Sequence, residues 1–365
     1  MTKKKVSSVD VANRAGVSQA TVSMVLNHKY NVSFSKETIR KVEDAARELG
    51  YVLPAGRLRK QTKKEKLIIV FCSNLTNPYY VMLLEGIESR ANEEGLGVYV
   101  CNTQRNLKME EYYLKMARQL RPSGIIYTFN PSVSFTKTIE EIGKQIPVVV
   151  ISNQNEKMGV DLVDMDNSKI GRITAEYLLS LGHKEVAYIT PPLTRSQRQR
   201  SKRVEGFVRE FEKAGLKEHV TIKKAKEDVD MRFAHSDSEY KMGYELTKDV
   251  LKENKFITAI VGLNDMIAFG ILDALEELKV KVPGDISVVG CDNVLFGQLR
   301  HSALTTVEHF VIYKGRDACE IILKKMRNNT STLGGKTPLT TYRIEYEPEL
   351  IIRGTTGYPK TVTNK

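Results

Sequence analysis

The chain has 365 residues, 41% of them hydrophobic and 27% charged. That length excludes one ordinary domain and suits two or three globular ones. The net charge of +12 is unevenly distributed, because residues 1–66 hold 15 Lys and Arg against 6 Asp and Glu. A basic N-terminal module on a nearly neutral body favours binding to a polyanion, although a solvated basic tail would have the same composition.

Signals for secretion, membrane insertion and metal binding are missing from the sequence. No apolar run follows the N-terminus, and no stretch approaches the ~18 apolar residues of a membrane span. The four cysteines are scattered without a CxxC pair, and the six histidines lack ligand spacing. We therefore expect a cytoplasmic, nucleoid-associated protein with reduced thiols, no bound metal and no cofactor.

The first 50 residues predict three short helices around a small core. Ser7 and Asp10 have capping-box spacing, and Gly16 ends the first helix. Ser18 and Ser35 are suited to cap the second helix, 19–28, and the third, 36–49. The expected core consists of apolar residues at helical spacing: Val9, Ala12, Val17, Val22, Val25, Leu26, Ile39, Val42, Ala46 and Leu49.

The run VDVANRAGVSQATVSMVLN at 9–27 fits a helix-turn-helix that binds DNA. Gly16 permits a tight turn, and Gln19, Ala20, Ser23 and Met24 face outward near the start of the second helix, where base edges would be met. Any small helical hairpin could carry the same pattern. The basic residues that follow, within 51–66, favour the DNA-binding interpretation and a linker.

From residue 67 onward, short apolar runs alternate with amphipathic stretches of helical length. This alternation predicts an α/β fold of two parallel-sheet lobes with helices on both faces. Ligands of such folds bind at the carboxyl ends of the strands, so the loops after the runs are candidate sites. The predicted strands are 67–72, 98–101, 124–129, 147–151, 185–190, 258–263 and 286–291.

Several motifs resemble the LacI/GalR (lactose-repressor) family in order along nearly the whole chain. They are DVANRAGVSQATVSMVLN, KVEDAARELGY, NPYY, YLLSLGHKEVAYI, KRVEGF, LNDMIAFGILDAL, VPGDISVVGCDN and LTTVEH. The resemblance implies an all-α helix-turn-helix headpiece (1–50), a basic linker with a hinge helix (51–66), a periplasmic-binding-protein-like sensor with two lobes (67–354) and a tail (355–365). It also implies a homodimer that binds an operator in double-stranded DNA under the control of a small effector.

The family's DNA contacts transfer by position. The contacts that bind phosphates or fix the position of the helix along the DNA correspond to Ser18, Thr21, Ser23 and Asn27. The contacts to bases correspond to Gln19, Ala20 and Met24. Met24 departs from the family's usual Arg and cannot make a bidentate contact with guanine. The linker is about two residues shorter than is common, and it aligns Ala55 and Leu58 with the hinge helix. Leu58 would then be the residue that enters the minor groove.

The family's effector contacts also transfer by position, to polar and aromatic residues that can bind sugar hydroxyls. They are Asn77, Tyr79, Tyr80, Ser152, Asn153, Arg203, Asn264, Asp292 and His309. Asp265 is equally suited to cap a helix. Ser152 replaces an acidic residue that is frequent in the family, which leaves the effector's identity open between a sugar and a sugar phosphate.

An enzyme is disfavoured, because no GxGxxG follows a strand and GGKT at 334–337 lacks the first glycine of a phosphate loop. A sugar-binding transport protein fits the body but not the headpiece. A catabolite regulator that needs a phosphocarrier co-regulator remains an alternative without support in the sequence. We predict a DNA-binding transcription regulator, a repressor of carbohydrate-utilisation genes, and no enzymatic activity.

Overall fold

The computed structural model describes residues 6–26, 34–51, 66–151, 158–194, 198–226, 238–330 and 340–360. The chain divides into two units, Met1–Glu65 and Lys66–Lys365, which we call the headpiece and the sensor. The unit boundary falls within the segment that the sequence analysis assigns to a linker.

The described part of the headpiece contains the helices α1 (Ser8–Ala15), α2 (Gln19–Leu26) and α3 (Lys36–Glu48). Ser7 and Asp10 form the predicted capping box, and Gly16 follows α1 in the left-handed conformation with φ 66°. The hydroxyls of Ser18 and Ser35 accept hydrogen bonds from the N–H groups of Thr21 and Thr38, each at 3.1 Å. The predicted caps are therefore confirmed.

The headpiece core contains most of the residues that were expected from their helical spacing. Val9 is the exception: this prediction is wrong, because the side chain is 46% exposed and Val11 is buried in its place. The buried face of α1 includes Val11 and Ala12, whereas Val9 points away from it.

The sensor alternates strands and helices, as predicted. In chain order its elements are β1 (Leu67–Cys72), α4 (Pro78–Glu93), β2 (Gly97–Asn102), α5 (Leu107–Leu120), β3 (Gly124–Tyr127), α6 (Thr136–Gly143), β4 (Val148–Ile151), β5 (Asp161–Met165), α7 (Asn167–Ser180), β6 (Val186–Thr190), α8 (Arg198–Lys213), β7 (Val220–Lys224), α9 (Ser238–Glu253), β8 (Ala259–Gly262), α10 (Asp265–Glu277), β9 (Ser287–Val289), α11 (Leu295–Gln298), β10 (Thr306–Glu308), α12 (Val311–Thr330), β11 (Arg343–Tyr346) and β12 (Glu349–Ile351). Two short 3-10 turns, Val133–Phe135 and Lys217–His219, complete the set among the described residues.

The first lobe is built on a parallel sheet whose described strands have the order β11-β5-β4-β3-β1-β2. Side chains alternate between its faces along β1. Ile68 and Val70 pack with residues of α4 and α12, whereas Ile69 and Phe71 pack with residues of α5 and α6. Because both faces are buried, β1 is apolar along its whole length, as is usual for an interior parallel strand.

The second lobe is built on a smaller parallel sheet with the strand order β7-β6-β8-β9. Its core lies between this sheet and the helices α7 to α10. The chain then returns to the first lobe, where α12 packs on α4 and β11 pairs with β5. The antiparallel pair β10 and β12 lies where the chain passes between the lobes. The fold class predicted from the sequence is confirmed.

Residues 355–357 pack on the second lobe and lie within the segment 355–365 that the sequence analysis assigns to a tail. Thr355 is buried, and its hydroxyl donates to the carbonyl of Val288 in β9 at 2.7 Å. The carbonyl of Gly357 lies 2.9 Å from the Nε2 atom of His183. Residues 355–357 thus complete the edge of this lobe, because they supply hydrogen bonds to an otherwise open strand.

The predicted sheet strands are all present, whereas several further strands were not predicted. These are β5, β7 and β11 in the two sheets, together with the short pair β10 and β12. Charged residues interrupt their apolar character, as in the sequence DLVDM of β5. Two of them, β7 and β11, lie at sheet edges, where their side chains are partly or largely exposed to solvent.

Among the described residues of the sensor, three helix pairs cross so closely that their backbones touch. A Cβ atom added to Gly86 in α4 would lie 1.9 Å from the carbonyl oxygen of Ile312, and one added to Gly171 in α7 would lie 1.9 Å from that of Arg203. Only glycine fits at such a distance. The glycines are Gly86 and Gly315 for α4 and α12, Gly171 and Gly206 for α7 and α8, and Gly243 and Gly270 for α9 and α10.

Candidate functional site: the interlobe cavity

A cavity of about 150 Å³ lies between the carboxyl ends of the strands of the two lobes, and we call it the interlobe cavity. Its first-lobe wall includes Asn77, Tyr79, Tyr80, Arg105, Phe129 and Met165. Its second-lobe wall includes Asn167, Arg200, Arg203, Glu239, Asn264 and Asp292. Both lobes therefore contribute polar side chains to one shared space, at the strand ends where the sequence analysis places a ligand.

The structure brings most of the predicted effector residues to this cavity. Six line it: Asn77, Tyr79, Tyr80, Arg203, Asn264 and Asp292. His309 does not line it, because this side chain is fully buried behind Asp292. Ser152 and Asn153 lie outside the described residues.

Two asparagines cap helices at opposite walls of the cavity. The side-chain carbonyl of Asn77 accepts from Tyr79 N at 2.9 Å at the start of α4, and that of Asn264 accepts from Ile267 N at 3.0 Å at the start of α10. An asparagine that caps a helix with its carbonyl has its amide N–H groups left to donate. Each of these caps is therefore also a donor directed at the cavity.

Both amides donate to one carboxylate, that of Glu239 at the start of α9. The distance is 2.6 Å from Asn77 and 3.0 Å from Asn264. Arg105 of the first lobe donates to the other carboxylate oxygen at 3.3 Å. Glu239 therefore links the two lobes across the cavity. The sequence analysis missed it, because it follows no strand and no local pattern distinguishes it from a surface glutamate.

Arg203 is buried and is held entirely by its own lobe. Its Nε and Nη2 atoms donate to the side-chain carbonyl of Asn167 at 3.2 and 2.9 Å, and its Nη1 atom donates to the carbonyl of Leu263 at 2.7 Å. These contacts fix the plane of the guanidinium before any ligand enters, which is the condition for selective recognition of a polar group.

Asp292 begins a chain of buried titratable groups that runs from the second lobe to the first. Its carboxylate lies 2.9 Å from Nε2 of His309, whose Nδ1 lies 2.7 Å from Nζ of Lys314 in α12. Burial raises the pKa of Asp292 well above its usual range, and burial lowers that of Lys314 to about 7. The pKa of His309 is lowered, because burial and then the Lys314 ammonium disfavour its charged form.

The backbone around this chain has an uncommon conformation. Asp292 has φ 126°, Asn293 has φ 53° and Phe310, next to His309, has φ 61°. Residues other than glycine rarely adopt positive φ, and each such residue costs about 1–3 kcal/mol. Strain of this kind is retained where the surrounding structure determines a side-chain position, here that of Asp292 at the cavity wall.

A metal ion does not fit this cluster well, although Cys291, Asp292 and His309 place three possible ligand atoms within 4.8 Å of one another. Both ring nitrogens of His309 already contact Asp292 and Lys314. Burial also raises the pKa of the Cys291 thiol, which opposes the thiolate form that binds metals. The chemistry of the cavity is therefore hydrogen bonding to a polar ligand.

The headpiece presents a polar surface at the start of α2. Ser18, Gln19, Ala20 and Ser23 are exposed there, and Thr21 and Met24 are half-buried. Asn27, Ala55 and Leu58 lie outside the described residues. Hydroxyl and amide groups at the start of a second helix are placed as in helix-turn-helix proteins that contact bases and phosphates.

Family models match both units of the chain. The model of bacterial regulatory proteins of the lacI family matches residues 9–53. The model of periplasmic binding proteins and the sugar binding domain of the LacI family matches residues 64–340, which is most of the chain. This chain belongs to the LacI family.

LacI-family relatives extend over nearly all of the chain. The HTH-type transcriptional regulator DegA of Bacillus subtilis (strain 168) is 29% identical over 355 residues, 97% of this chain and 98% of the relative. The HTH-type transcriptional repressor PurR of Pasteurella multocida (strain Pm70) is 27% identical over 344 residues, 94% of this chain and 96% of the relative.

A solved structure has the same fold. It is the LacI family transcriptional regulator from Enterococcus faecalis V583 with bound ribose, which is 25% identical with a TM-score of 0.67 and covers 81% of this chain and 100% of that chain. As a LacI-family member, this chain is a DNA-binding transcriptional regulator with a helix-turn-helix. Among the residues that the structure describes, no helix has the length and apolar content needed to cross a bilayer.

Proposed function

We propose that this LacI-family chain represses carbohydrate-utilisation genes from the cytoplasm, and that a sugar or sugar phosphate in the interlobe cavity sets its affinity for a palindromic operator. The observation that carries the proposal is the composition of the cavity, whose polar walls come from both lobes. A ligand that forms hydrogen bonds with both walls stabilises the arrangement of the lobes in which both contact it. A ligand can shift an equilibrium between two arrangements by as much as its affinities for them differ.

The polar groups of the cavity favour a carbohydrate. Asn77, Asn264 and Arg203 supply donors, Asp292 and Glu239 supply acceptors, and such alternation suits sugar hydroxyls. The rings of Tyr79 and Tyr80 pack edge to face, with centroids 5.0 Å apart, and offer apolar surface to a sugar ring. The relative from Enterococcus faecalis, which has bound ribose, supports the same ligand class.

The proposed active form is a homodimer. Two headpieces on a two-fold axis match the two half-sites of a palindromic operator. In the second lobe, Leu295, Phe296 and Leu299 expose large apolar side chains close together in the chain. Exposed apolar patches of this kind are typical of protein interfaces, and a second copy of this chain would cover them.

The proposed DNA contacts follow the helix-turn-helix. Gln19, Ala20 and Met24 would contact bases, with Gln19 bonding to adenine and Ala20 packing on a thymine methyl. The phosphate and register contacts would be Ser18, Thr21, Ser23 and Asn27. We place Ala55 and Leu58 in a hinge helix that forms on the operator, with Leu58 entering the minor groove between base pairs. Movement of the lobes would then loosen the hinge and release the operator.

The test is a pair of DNA-binding titrations with the full-length protein. Genomic fragments are selected on immobilised protein, and fluorescence anisotropy then measures affinity for the selected duplex and a random duplex. We expect selection of a palindrome, and a change of at least tenfold in its affinity with one of ribose, glucose, fructose or glucose 6-phosphate. Asp292→Asn should abolish that response and retain effector-free affinity, whereas Asp249→Asn, exposed on α9, should behave as wild type.

Two results would contradict the proposal. Equal affinity for the selected and the random duplex would contradict sequence-specific binding and therefore the proposed repression. An effector response that survives intact in Asp292→Asn would place the controlling ligand elsewhere than in the interlobe cavity.

A further inference from the structure

A second cavity adjoins the interlobe cavity and is lined mostly by first-lobe residues, together with Arg200 of the second lobe; we call it the first-lobe cavity. It measures about 370 Å³ and is lined by Glu110, Ser132 and Val133, among others. Five residues line both cavities: Tyr80, Arg105, Phe129, Asn130 and Arg200. The two spaces therefore share one wall of aromatic and polar side chains.

The volumes indicate that the two cavities serve one ligand. Sites for small molecules typically measure about 300–1,000 Å³. The interlobe cavity alone, at about 150 Å³, lies below that range, and the first-lobe cavity, at about 370 Å³, lies within it. A ligand held only by the polar groups of the interlobe cavity would leave the larger of the two spaces to water.

A buried carboxyl lines the first-lobe cavity. Glu110 in α5 is 4% exposed, and one of its oxygens accepts from Ser132 N at 3.2 Å. Burial raises the pKa of Glu110 to about 7, so near neutral pH the group is present in both protonation states. Such a carboxyl can accept a hydrogen bond from a ligand hydroxyl or donate one to it. Burying a carboxyl is costly unless its oxygens are hydrogen-bonded.

We propose that the effector is a carbohydrate of two joined rings, a disaccharide, which occupies both cavities and is bound at its second ring by Glu110. This inference rests on the proposed function and deepens it. The first ring meets the polar walls of the interlobe cavity. The bond between the rings lies against Tyr80 and Phe129, which line both cavities, because aromatic side chains pack well on the apolar faces of sugars. Ser132 and Asn130 supply further polar groups to the second ring.

The test compares ligands of one and two rings on the full-length protein by calorimetry. The monosaccharides are glucose, galactose and ribose, and the disaccharides are cellobiose, maltose, lactose and sucrose. We expect one disaccharide to bind at least tenfold more tightly than its component monosaccharides. Glu110→Gln should lower that affinity about tenfold and leave monosaccharide binding unchanged. Glu111→Gln is the matched control, since Glu111 is the next residue on α5 and its side chain is 50% exposed.

A second variant keeps the test valid if Glu110→Gln folds poorly. Val133 is 76% exposed and lines the first-lobe cavity, so Val133→Trp should fold normally and narrow that cavity. It should weaken the disaccharide and spare the monosaccharides. If a monosaccharide releases the operator and no disaccharide binds more tightly, the two-cavity inference fails and the proposed function stands. If no carbohydrate of either size changes operator affinity, carbohydrate control itself fails, and the inference fails with it.

Discussion

On the second-lobe wall of the interlobe cavity, Arg203 donates to acceptors of its own lobe, whereas Arg105 on the first-lobe wall donates across the cavity to Glu239. The buried carboxyls of the two lobes also differ in the hydrogen bonds that they accept. Asp265 in the second lobe accepts from the Thr306 hydroxyl at 2.6 Å and from Val294 N at 2.9 Å. Glu110 in the first lobe accepts from Ser132 N at 3.2 Å, beside an open cavity.

This difference indicates a division of roles between the walls. The second-lobe wall is ordered by its own hydrogen bonds and presents a fixed surface to a ligand. On the first-lobe wall, Asn77 and Arg105 donate to Glu239 of the other lobe. We therefore expect ligand binding to rearrange the first-lobe wall, and substitutions to affect the two walls differently.

The largest contrast is expected between the two arginines. Arg203→Ala removes a buried cation and leaves the carbonyl groups of Asn167 and Leu263 without these donors, so we expect a loss of about 3–5 kcal/mol in the free energy of unfolding. Arg105→Ala removes a partly exposed ion pair and should cost about 1 kcal/mol or less. Urea unfolding of the full-length chain, followed by circular dichroism, measures both. Similar losses in the free energy of unfolding for the two variants would contradict the proposed difference between the two walls.

An effect of intermediate size is expected from Glu110 as the pH changes. The pKa of this carboxyl is raised by burial to about 7, so the folded state binds its proton more tightly than the unfolded chain does. The group therefore lowers the free energy of unfolding as the pH rises from about 4.5 to 7. Glu110→Gln should gain about 2–3 kcal/mol relative to wild type between pH 5 and pH 8.

Urea unfolding of wild type and variant at several pH values provides the check, since other titrating groups cancel in the difference. Glu111→Gln, at the next position of α5, is the matched control over the same range. A constant difference for Glu110→Gln would mean that burial does not raise the pKa of this carboxyl.

The smallest effect is expected at Glu239, which joins the walls. Glu239→Gln replaces a carboxylate, which accepts hydrogen bonds from both lobes, with an amide that accepts fewer. We expect the free energy of unfolding to fall by about 1 kcal/mol. Amide hydrogen exchange at the start of α4, next to Asn77, should then rise about fivefold when followed by mass spectrometry. Glu245→Gln, exposed on the same helix, should leave that exchange unchanged. Equal exchange in the two variants would show that Glu239 does not hold the lobes together.

Much of the fold could be predicted because its interior strands are apolar on both faces. The run LIIVFC of β1 is the clearest example. β5 could not be predicted, because it begins with the charged residue Asp161 and the partners of that carboxylate lie far away in the chain. They are Lys325 Nζ at 2.6 Å and Tyr342 N at 2.8 Å. Only the folded sheet shows that a charged residue at this position is paired.

The candidate site likewise contains residues whose positions could be predicted from the sequence and residues whose positions could not. Asn77, Asn264 and Asp292 follow strands, and a parallel sheet brings strand ends to one edge, so their convergence could be predicted. Glu239 and Lys314 come from helices, and their positions depend on how α9 and α12 pack on the lobes. The sequence alone does not determine that packing, because an amphipathic pattern identifies a buried face but not its partner.

The paired glycines of the sensor have a consequence for how the sequence can vary. At each helix crossing the obstacle to a side chain is the partner's backbone carbonyl, which no second substitution can make smaller. A saturation library scored for operator binding should therefore tolerate no replacement at Gly86, Gly171 or Gly270. That intolerance would equal the intolerance of residues that contact DNA, yet it would come from helix packing. Mutational intolerance in this protein will identify recognition residues only after the glycine crossings have been set aside.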